Sequence, residues 1–318
     1  IMIYIINPHV RTLNEDPIIQ IKNLRKKYGK VDAVSGITFN VESGKLFAFL
    51  GPNGAGKSTT IDMICTLLEP DEGEIIIDGM VRGKDDDAIR NRIGIVFQNS
   101  VLDNLLTVRE NLIVRADLYG LKNEDLERAL NDAAEATDIL EFLDRPYGKL
   151  SGGQKRRADI TRALVNTPKI LFLDEPTTGL DPQTKNIVWN KIMDLQKKTG
   201  MTVFLTTHYM EEAASADYIV VINHGEIAAQ GTPYELQENY SSDRIKLTAN
   251  DIDLLKTALE RNHISYTVKE NTFTIAIGST LDAIPIVNSV KHLILGFEVL
   301  HGTMEDAFIN IIGKEVSF

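Results

Sequence analysis

The chain has 318 residues, and at about 150 residues per domain this length suggests two domains. Its residues are 43% apolar and 25% charged, which is typical of globular proteins and excludes collagen-like, coiled-coil and disordered classes. The net charge of −11 disfavours a general electrostatic attraction to nucleic acid or anionic lipid. The single cysteine, Cys65, excludes an internal disulfide and a cysteine-cluster metal site, so we expect it to pack in the core.

The longest segment without Asp, Glu, Lys or Arg is residues 199–210, about a dozen residues. A membrane-spanning helix needs about 18–20 mostly apolar residues, so we expect that the chain does not cross a membrane by itself. The apolar run at residues 1–6 has no basic residue before it and no cleavage site after it, which argues against a secretory signal. We expect it to be a short extension.

From residue 17 to about residue 231, short apolar runs alternate with helical patterns, which is typical of a layered α/β domain. The predicted strands are residues 18–22, 37–41, 46–50, 74–77, 93–97, 170–173, 202–205 and 218–222. Asp78-Gly79 is a turn signal after the fourth of them. Between about residues 100 and 165 the pattern predicts a helical insert, with a capping box of Thr107 and Glu110 opening its first helix.

After Tyr240 the order changes to strand, helix, strand, strand, helix, strand, which is the order of a ferredoxin-like βαββαβ unit. A last helix follows a predicted cap at Thr303. We therefore predict two domains, an α/β domain at residues 17–235 and a small α+β domain at residues 243–318.

A glycine-rich loop follows the strand 46–50 and precedes an apolar-periodic helix. It matches G-x-x-x-x-G-K-[ST] and consists of Gly51, Pro52, Asn53, Gly54, Ala55, Gly56, Lys57, Ser58 and Thr59. Such a loop lets backbone N–H groups surround a polyphosphate at a helix N-terminus, where the helix dipole favours negative charge. Lys57 would reach the β- and γ-phosphates, and the Ser58 hydroxyl would hold Mg²⁺.

Two carboxylates, Asp174 and Glu175, follow the buried strand 170–173 at the edge of the sheet where ligands bind in parallel α/β proteins. Asp174 is predicted to complete the Mg²⁺ shell. Glu175 is predicted to orient or deprotonate the attacking water.

Between these two motifs lies Leu150-Ser151-Gly152-Gly153-Gln154, which matches the signature of the ATP-binding cassette (ABC) ATPases in full. The chain resembles that family over residues 17–231. The resemblance implies a P-loop NTPase fold, ATP and Mg²⁺ as cofactors, and hydrolysis of ATP to ADP and phosphate. Matching positions imply adenine stacking on Tyr28, a D-loop ending at Asp181 and a switch histidine at His208. They also imply a Q-loop glutamine at Gln98 that touches Mg²⁺ and senses the γ-phosphate.

In this family the signature loop serves the nucleotide of a second cassette in a head-to-tail pair. The resemblance therefore implies that Ser151, Gly152, Gly153 and Gln154 contact a partner's ATP, and that hydrolysis opens the pair. The partner would be a second copy or a relative.

The segment Leu105-Leu106-Thr107-Val108-Arg109-Glu110-Asn111-Leu112 resembles cassettes of exporter-type permeases, including drug and polyketide efflux systems. The segment 303–308 resembles the closing motif of the C-terminal domain in such subunits. These resemblances imply a separate membrane permease whose cytoplasmic helix docks in a groove of the helical insert near Gln98. The chain would lie at the cytoplasmic face of the membrane, held through that permease.

Two other functions stay open at this point. A soluble ABC ATPase acting on ribosomes or DNA is disfavoured by the acidic balance, and Lys155-Arg156-Arg157 is expected to be a solvated helix face, with no nucleic-acid partner. A nucleotide sensor without hydrolysis is disfavoured because Glu175 and His208 are both present.

Overall fold

The computed structural model describes residues 17–313, so the apolar run at residues 1–6 lies outside the described residues. The chain divides into two compact units. Of the described residues, the first unit holds 17–47, 53–206 and 224–226, and the second holds 48–52, 207–223 and 227–313. The domain boundaries at 17–235 and 243–318 stay a prediction.

The strands, in chain order, are β1 (Ile19–Tyr28), β2 (Val31–Val41), β3 (Leu46–Leu50), β4 (Glu72–Ile77), β5 (Met80–Val81), β6 (Ile93–Val96), β7 (Ile170–Asp174), β8 (Thr202–Thr207), β9 (Tyr218–Asn223), β10 (Glu226–Gly231), β11 (Asp243–Ala249), β12 (Thr267–Lys269), β13 (Thr272–Ile277) and β14 (Ile294–Leu300). The helices are α1 (Lys57–Ile64), α2 (Asp86–Arg92), α3 (Val108–Leu118), α4 (Asn123–Thr137), α5 (Gly152–Leu164), α6 (Pro182–Thr199), α7 (Met210–Ala213), α8 (Pro233–Tyr240), α9 (Ile252–Arg261), α10 (Ala283–Val290) and α11 (Met304–Gly313). None of these described helices is long and apolar enough to span a bilayer.

The central sheet has six strands in the order β10-β9-β3-β8-β7-β6. Strands β6, β7 and β8 pair in parallel, with Ile93 opposite Ile170 and Ile170 opposite Thr202. All residues of these three strands are buried, as expected for parallel strands that are covered on both faces. The register also sets Asp174 beside Thr206 at the carboxyl edge of the sheet.

A second sheet, in the first unit, has four strands in the order β2-β1-β4-β5. Its β4–β5 hairpin turns at Asp78 and Gly79, with Ile77 paired to Met80. Both turn residues have positive φ, 49° and 76°, as a two-residue hairpin turn requires. The turn predicted at Asp78-Gly79 is confirmed.

The segment predicted to be a helical insert contains α3, α4 and α5. Helix α3 begins with the predicted capping box, in which Thr107 and Glu110 satisfy each other's backbone N–H groups. Helix α5 packs against both α3 and α4. No strand forms between Thr107 and Thr161, where the described backbone makes only one isolated bridge, from Thr107 to Pro146.

The C-terminal segment forms an antiparallel sheet in the order β12-β13-β11-β14. One face carries the buried residues Ile245, Leu247, Phe273 and Ile275, which pack in one cluster with residues of α9 and α10. Helix α11 starts at the predicted cap, where Thr303 and Asp306 bond each other. The classification of this segment as ferredoxin-like stays a prediction.

Candidate nucleotide site

The glycine-rich loop continues into α1, which begins at Lys57, and two of its glycines have a left-handed backbone conformation. Gly54 and Gly56 have φ of 81° and 107°, values in the left-handed region that is costly for residues with a Cβ. Gly56 is the N-cap of α1, and no side chain among the described residues caps the N-terminus of this helix. The N-terminus of α1 is therefore suited to an anionic ligand, because its first N–H groups have no partner within the helix.

Lys57 lies at the start of α1 and forms a buried ion pair with Glu175. The Lys57 Nζ to Glu175 Oε1 distance is 3.4 Å, and the side chains are 5% and 9% exposed. Burial lowers the pKa of Lys57, and the negative charges of Glu175 and Asp174 offset part of that shift. A buried lysine beside two carboxylates is suited to exchange one anionic partner for the phosphates of a nucleotide.

Asp174 ends β7 and accepts a hydrogen bond at each of its carboxylate oxygens. The Ser58 hydroxyl donates to Oδ2 at 3.2 Å, and the Thr206 hydroxyl donates to Oδ1 at 2.5 Å. Ser58 and Asp174, predicted from separate motifs, are therefore brought together. Thr206 was not predicted as a site residue, because its place depends on the parallel register between β7 and β8.

The oxygen pair of Ser58 and Asp174 fits a magnesium ion. Mg²⁺ prefers oxygen ligands and is usually held by one or two carboxylates together with substrate phosphates. Among the described residues no group of three or more His, Cys, Asp and Glu side chains could hold a metal ion. When bound, the ion would neutralise phosphate charge.

Glu175 follows β7 in a left-handed conformation, with φ of 45°. Its N–H donates to the Thr206 carbonyl at 3.1 Å, which fixes the backbone there. Its Oε2 accepts from Gln98 Nε2 at 3.4 Å and from the Thr178 hydroxyl at 3.2 Å. An acidic residue held in a costly conformation beside Gln98 is typical of a functional site.

Arg156 is buried, so the prediction that Lys155-Arg156-Arg157 forms a solvated helix face is wrong for this residue. Its side chain is 7% exposed and donates to three backbone carbonyls, at Phe97 (2.6 Å), Asp174 (3.2 Å) and Pro176 (2.5 Å). It therefore links the segment before Gln98 with the loop that carries Glu175. The sequence does not reveal this role because all three acceptors are backbone atoms on other elements.

The signature residues form the start of α5. Ser151 is the N-cap, and its Oγ accepts from the Gln154 N–H at 3.3 Å while Gln154 Oε1 accepts from the Ser151 N–H at 3.1 Å. Asp181 caps α6 in a similar way by accepting from the Thr184 N–H at 3.1 Å. A Cβ on Gly153 would lie 2.3 Å from Thr184 Cγ2, so the glycine allows the two helix starts to approach each other.

Three other predicted site residues are Tyr28, Gly51 and His208. Tyr28 ends β1 and is 52% exposed. In the second unit, the Gly51 N–H donates to the Thr207 carbonyl at 3.3 Å, and the His208 ring lies 4.1 Å from the ring of Tyr209. The roles predicted for Tyr28, Gly51 and His208 stay predictions.

Comparison with known proteins identifies the family. A family model described as ABC transporter matches residues 34–178. A Nod factor export ATP-binding protein I of Ralstonia nicotianae is 35% identical over 96% of this chain and 96% of its own length. A linearmycin resistance ATP-binding protein of Bacillus subtilis is 36% identical over 93% of this chain and 99% of its own length.

A solved structure agrees with these sequence matches. It is a dimeric ATP-binding cassette bound to ADP and phosphate in a post-hydrolysis state, with a TM-score of 0.61 and 31% identity over 67% of this chain and 98% of that chain. The chain belongs to the ATP-binding cassette family of transporter ATPases, and its relatives are exporter-type subunits.

Proposed function

We propose that this chain is the ATP-hydrolysing subunit that powers an exporter, acting with Mg²⁺, a second cassette and a separate membrane permease at the cytoplasmic face. The observation that carries the proposal is the convergence of Lys57 with Glu175 and of Ser58 with Asp174. These pairs join the glycine-rich loop to the end of β7, where a lysine, two carboxylates and a hydroxyl meet.

The ion pair between Lys57 and Glu175 supports an order of steps, in which phosphate binding comes before the activation of water. Nucleotide phosphates would take the place of Glu175 beside Lys57, because the lysine lies at the helix N-terminus where phosphate binds. The freed carboxylate, with Gln98 and Thr178 beside it, would orient the attacking water and accept its proton. Lys57 would remain with the phosphates and stabilise the charge that develops on them.

The exposure of the signature supports the paired state. Ser151 and Gly152 are both exposed, so a second cassette can reach them. Because the Ser151 Oγ uses a lone pair as the helix cap, its own proton stays available for a phosphate oxygen. The N-terminus of α5 adds a favourable dipole for that anion.

The relatives support export as the process that hydrolysis drives. One is named for Nod factor export and another for linearmycin resistance, and both match nearly the whole chain. The relatives do not favour the alternative of a soluble ATPase acting on ribosomes or nucleic acid.

Purification of the tagged chain from detergent-solubilised membranes tests the proposal. We expect a multi-spanning membrane protein in a fixed ratio to the chain, and ATP turnover that changes when this protein is present. Addition of ribosomes or RNA should leave turnover unchanged. Turnover that rises with ribosomes or RNA, without any membrane partner, would favour the alternative and overturn the proposal.

A further inference from the structure

The C-terminal sheet has two edge strands that differ in length and charge. Its order is β12-β13-β11-β14, so β12 and β14 form the edges. Strand β12 has three residues and ends in Lys269. Strand β14 has seven residues, and its only charged side chain is Glu298. Short strands and lysines protect many sheet edges from pairing with other chains, so β14 is the less protected edge of this sheet.

The backbone groups of Phe297 point to the outer side of β14. In β11 the Ala249 N–H donates to the Asn271 carbonyl, on the side of β13. Successive residues of a strand direct their backbone groups to opposite sides, so those of Thr248 point to β14 and to its partner residue Gly296. Phe297 is the next residue, and its N–H and C=O therefore lie on the outer side, where no described residue bonds them.

The side chains of β14 extend the apolar face of the sheet to this edge. Phe297 is paired with the fully buried Leu247, so it lies on the face that packs against α9 and α10. Phe297 itself is 53% exposed. Leu295, which has no counterpart in β11 because of a register shift, is 69% exposed. An edge with unbonded backbone groups and exposed apolar side chains favours pairing with a further strand.

The sequence of β14 is complementary to a second copy of itself. Phe297 is the middle residue of the strand, so a two-fold axis at Phe297 lets two antiparallel copies overlap along their whole length. In that register Phe297 faces Phe297, and Leu295 faces Val299. Glu298 faces Gly296, so the two carboxylates do not oppose each other. A register centred on Glu298 would set them directly opposite, which is destabilising.

We propose that two copies of this chain pair through β14 and join their four-stranded C-terminal sheets into one continuous antiparallel sheet. The Phe297 N–H of each copy donates to the Phe297 carbonyl of the other. This contact uses no nucleotide, and it keeps two cassettes together after hydrolysis opens the ATP-bound pair. That use of the contact rests on the proposed function, whereas the pairing itself rests on this chain alone.

Light scattering on the full chain without nucleotide tests the pairing. The wild type should be a dimer. Phe297→Lys should weaken self-association by about tenfold or more, because it sets two like charges opposite each other at the two-fold axis. Val268→Lys is the matched control, since Val268 is 50% exposed on β12, and it should leave the dimer intact. A monomeric wild type, or equal effects of the two substitutions, would overturn the proposal.

A charge exchange at the same position tests the register. Phe297→Glu should also weaken the dimer, because two carboxylates then oppose each other. An equimolar mixture of Phe297→Glu and Phe297→Lys should form a heterodimer, since unlike charges face each other across the axis. A mixture of folded variants that stays monomeric would overturn the proposal.

Hydrogen exchange on the wild-type chain needs no substitution, so it decides the question even where a variant fails to fold. Peptides that cover β14 should exchange more slowly in the dimer than after dilution to the monomer, because the Phe297 N–H is bonded only in the dimer. Peptides that cover β12 should not change. Equal exchange at β14 in both states would overturn the proposal. Slower exchange that requires added membranes with the permease would assign this edge to another partner and would also overturn it.

The outcomes separate this inference from the proposed function. If the wild type is monomeric without nucleotide, yet hydrolyses ATP and pairs when ATP is bound, the inference fails and the proposed function stands. If the chain hydrolyses no ATP, the proposed function fails, and the nucleotide-free measurements still decide whether β14 pairs with its own copy.

Discussion

The substitution Glu175→Gln separates the two tasks assigned to this side chain, neutralising Lys57 and activating water. In the structure the two charges are 3.4 Å apart and almost completely buried. At an effective dielectric constant of about 20, their Coulomb attraction is about 5 kcal/mol. Nucleotide has to compete with this attraction for Lys57, and the glutamine variant removes that competition.

Nucleotide binding should therefore be retained in Glu175→Gln, but ATP turnover should fall. A positioned general base contributes about 10²–10⁴-fold to a rate, so Glu175→Gln should slow steady-state phosphate release by that factor. This loss corresponds to about 3–5 kcal/mol of transition-state stabilisation. Because binding is retained and hydrolysis is slow, the variant should accumulate as an ATP-bound dimer.

Phosphate release and size-exclusion chromatography with ATP measure the two effects on the same preparation. Glu74→Gln is the matched control, since Glu74 pairs with Lys22 at 3.2 Å in an ion pair about half exposed on both sides. That variant should keep wild-type turnover and the wild-type elution profile. Turnover of Glu175→Gln within fivefold of the wild type would refute the role of Glu175 as the base.

Three further substitutions test other contacts. Thr206→Val should leave one buried oxygen of Asp174 without its donor and destabilise the fold by about 1–3 kcal/mol in denaturant unfolding, whereas Thr206→Ser should not. Gly153→Ala should lower the melting temperature because its Cβ would meet Thr184 at 2.3 Å, and adding Thr184→Ser should restore it; no rescue would contradict this packing. Burial raises the pKa of Asp306, but hydrogen bonds from the cap of α11 outweigh it, and the pKa is lowered. Its stabilisation is therefore present above the unfolded pKa of about 3.9 and lost as pH falls through the folded pKa. Asp306→Asn should cost about 1 kcal/mol at pH 7, as loss of a helix cap does, and the deficit in thermal unfolding should disappear at low pH; an equal deficit at both pH values would contradict this origin.

Buried strands were predicted best because their apolar runs are continuous in the sequence. Strand β3 has the predicted bounds, 46–50. Strand β1 was predicted to end at residue 22 but continues to Tyr28, because its polar second half is stabilised by pairing with β2 and β4. Residues 22–28 are mostly polar, so this half of the strand leaves no apolar pattern in the sequence.

Short elements were also missed. The pattern did not predict α2, α8, β5 or β10, all of which have eight residues or fewer. Elements this short are marginal in isolation and depend on tertiary contacts for their stability. Helix α8 has a local sequence signal, because Thr232 and Glu235 form a capping box at its N-terminus.

Some residues of the candidate site were predicted from the sequence and others were not. Motif residues such as Lys57, Ser58 and Asp174 were predicted because the chemistry of phosphate binding fixes their type and spacing. Thr206 and Arg156 were not, since a threonine after a strand and an arginine on a helix are common in any sequence. Their functions come from the register of β7 with β8 and from backbone carbonyls that only the folded chain brings within reach.

Two arginines of helix α5 hydrogen-bond the backbone of strand β6 and of the residue that follows it. Arg162 donates to the carbonyl of Ile95, and Arg156 donates to the carbonyl of Phe97, one residue before Gln98. The same helix begins with the signature residue Ser151. Helix α5 therefore carries the signature at one end and holds the segment leading to Gln98. Since Gln98 donates to Glu175, we expect a shift of α5 against β6 to move the Glu175 carboxylate and the signature together.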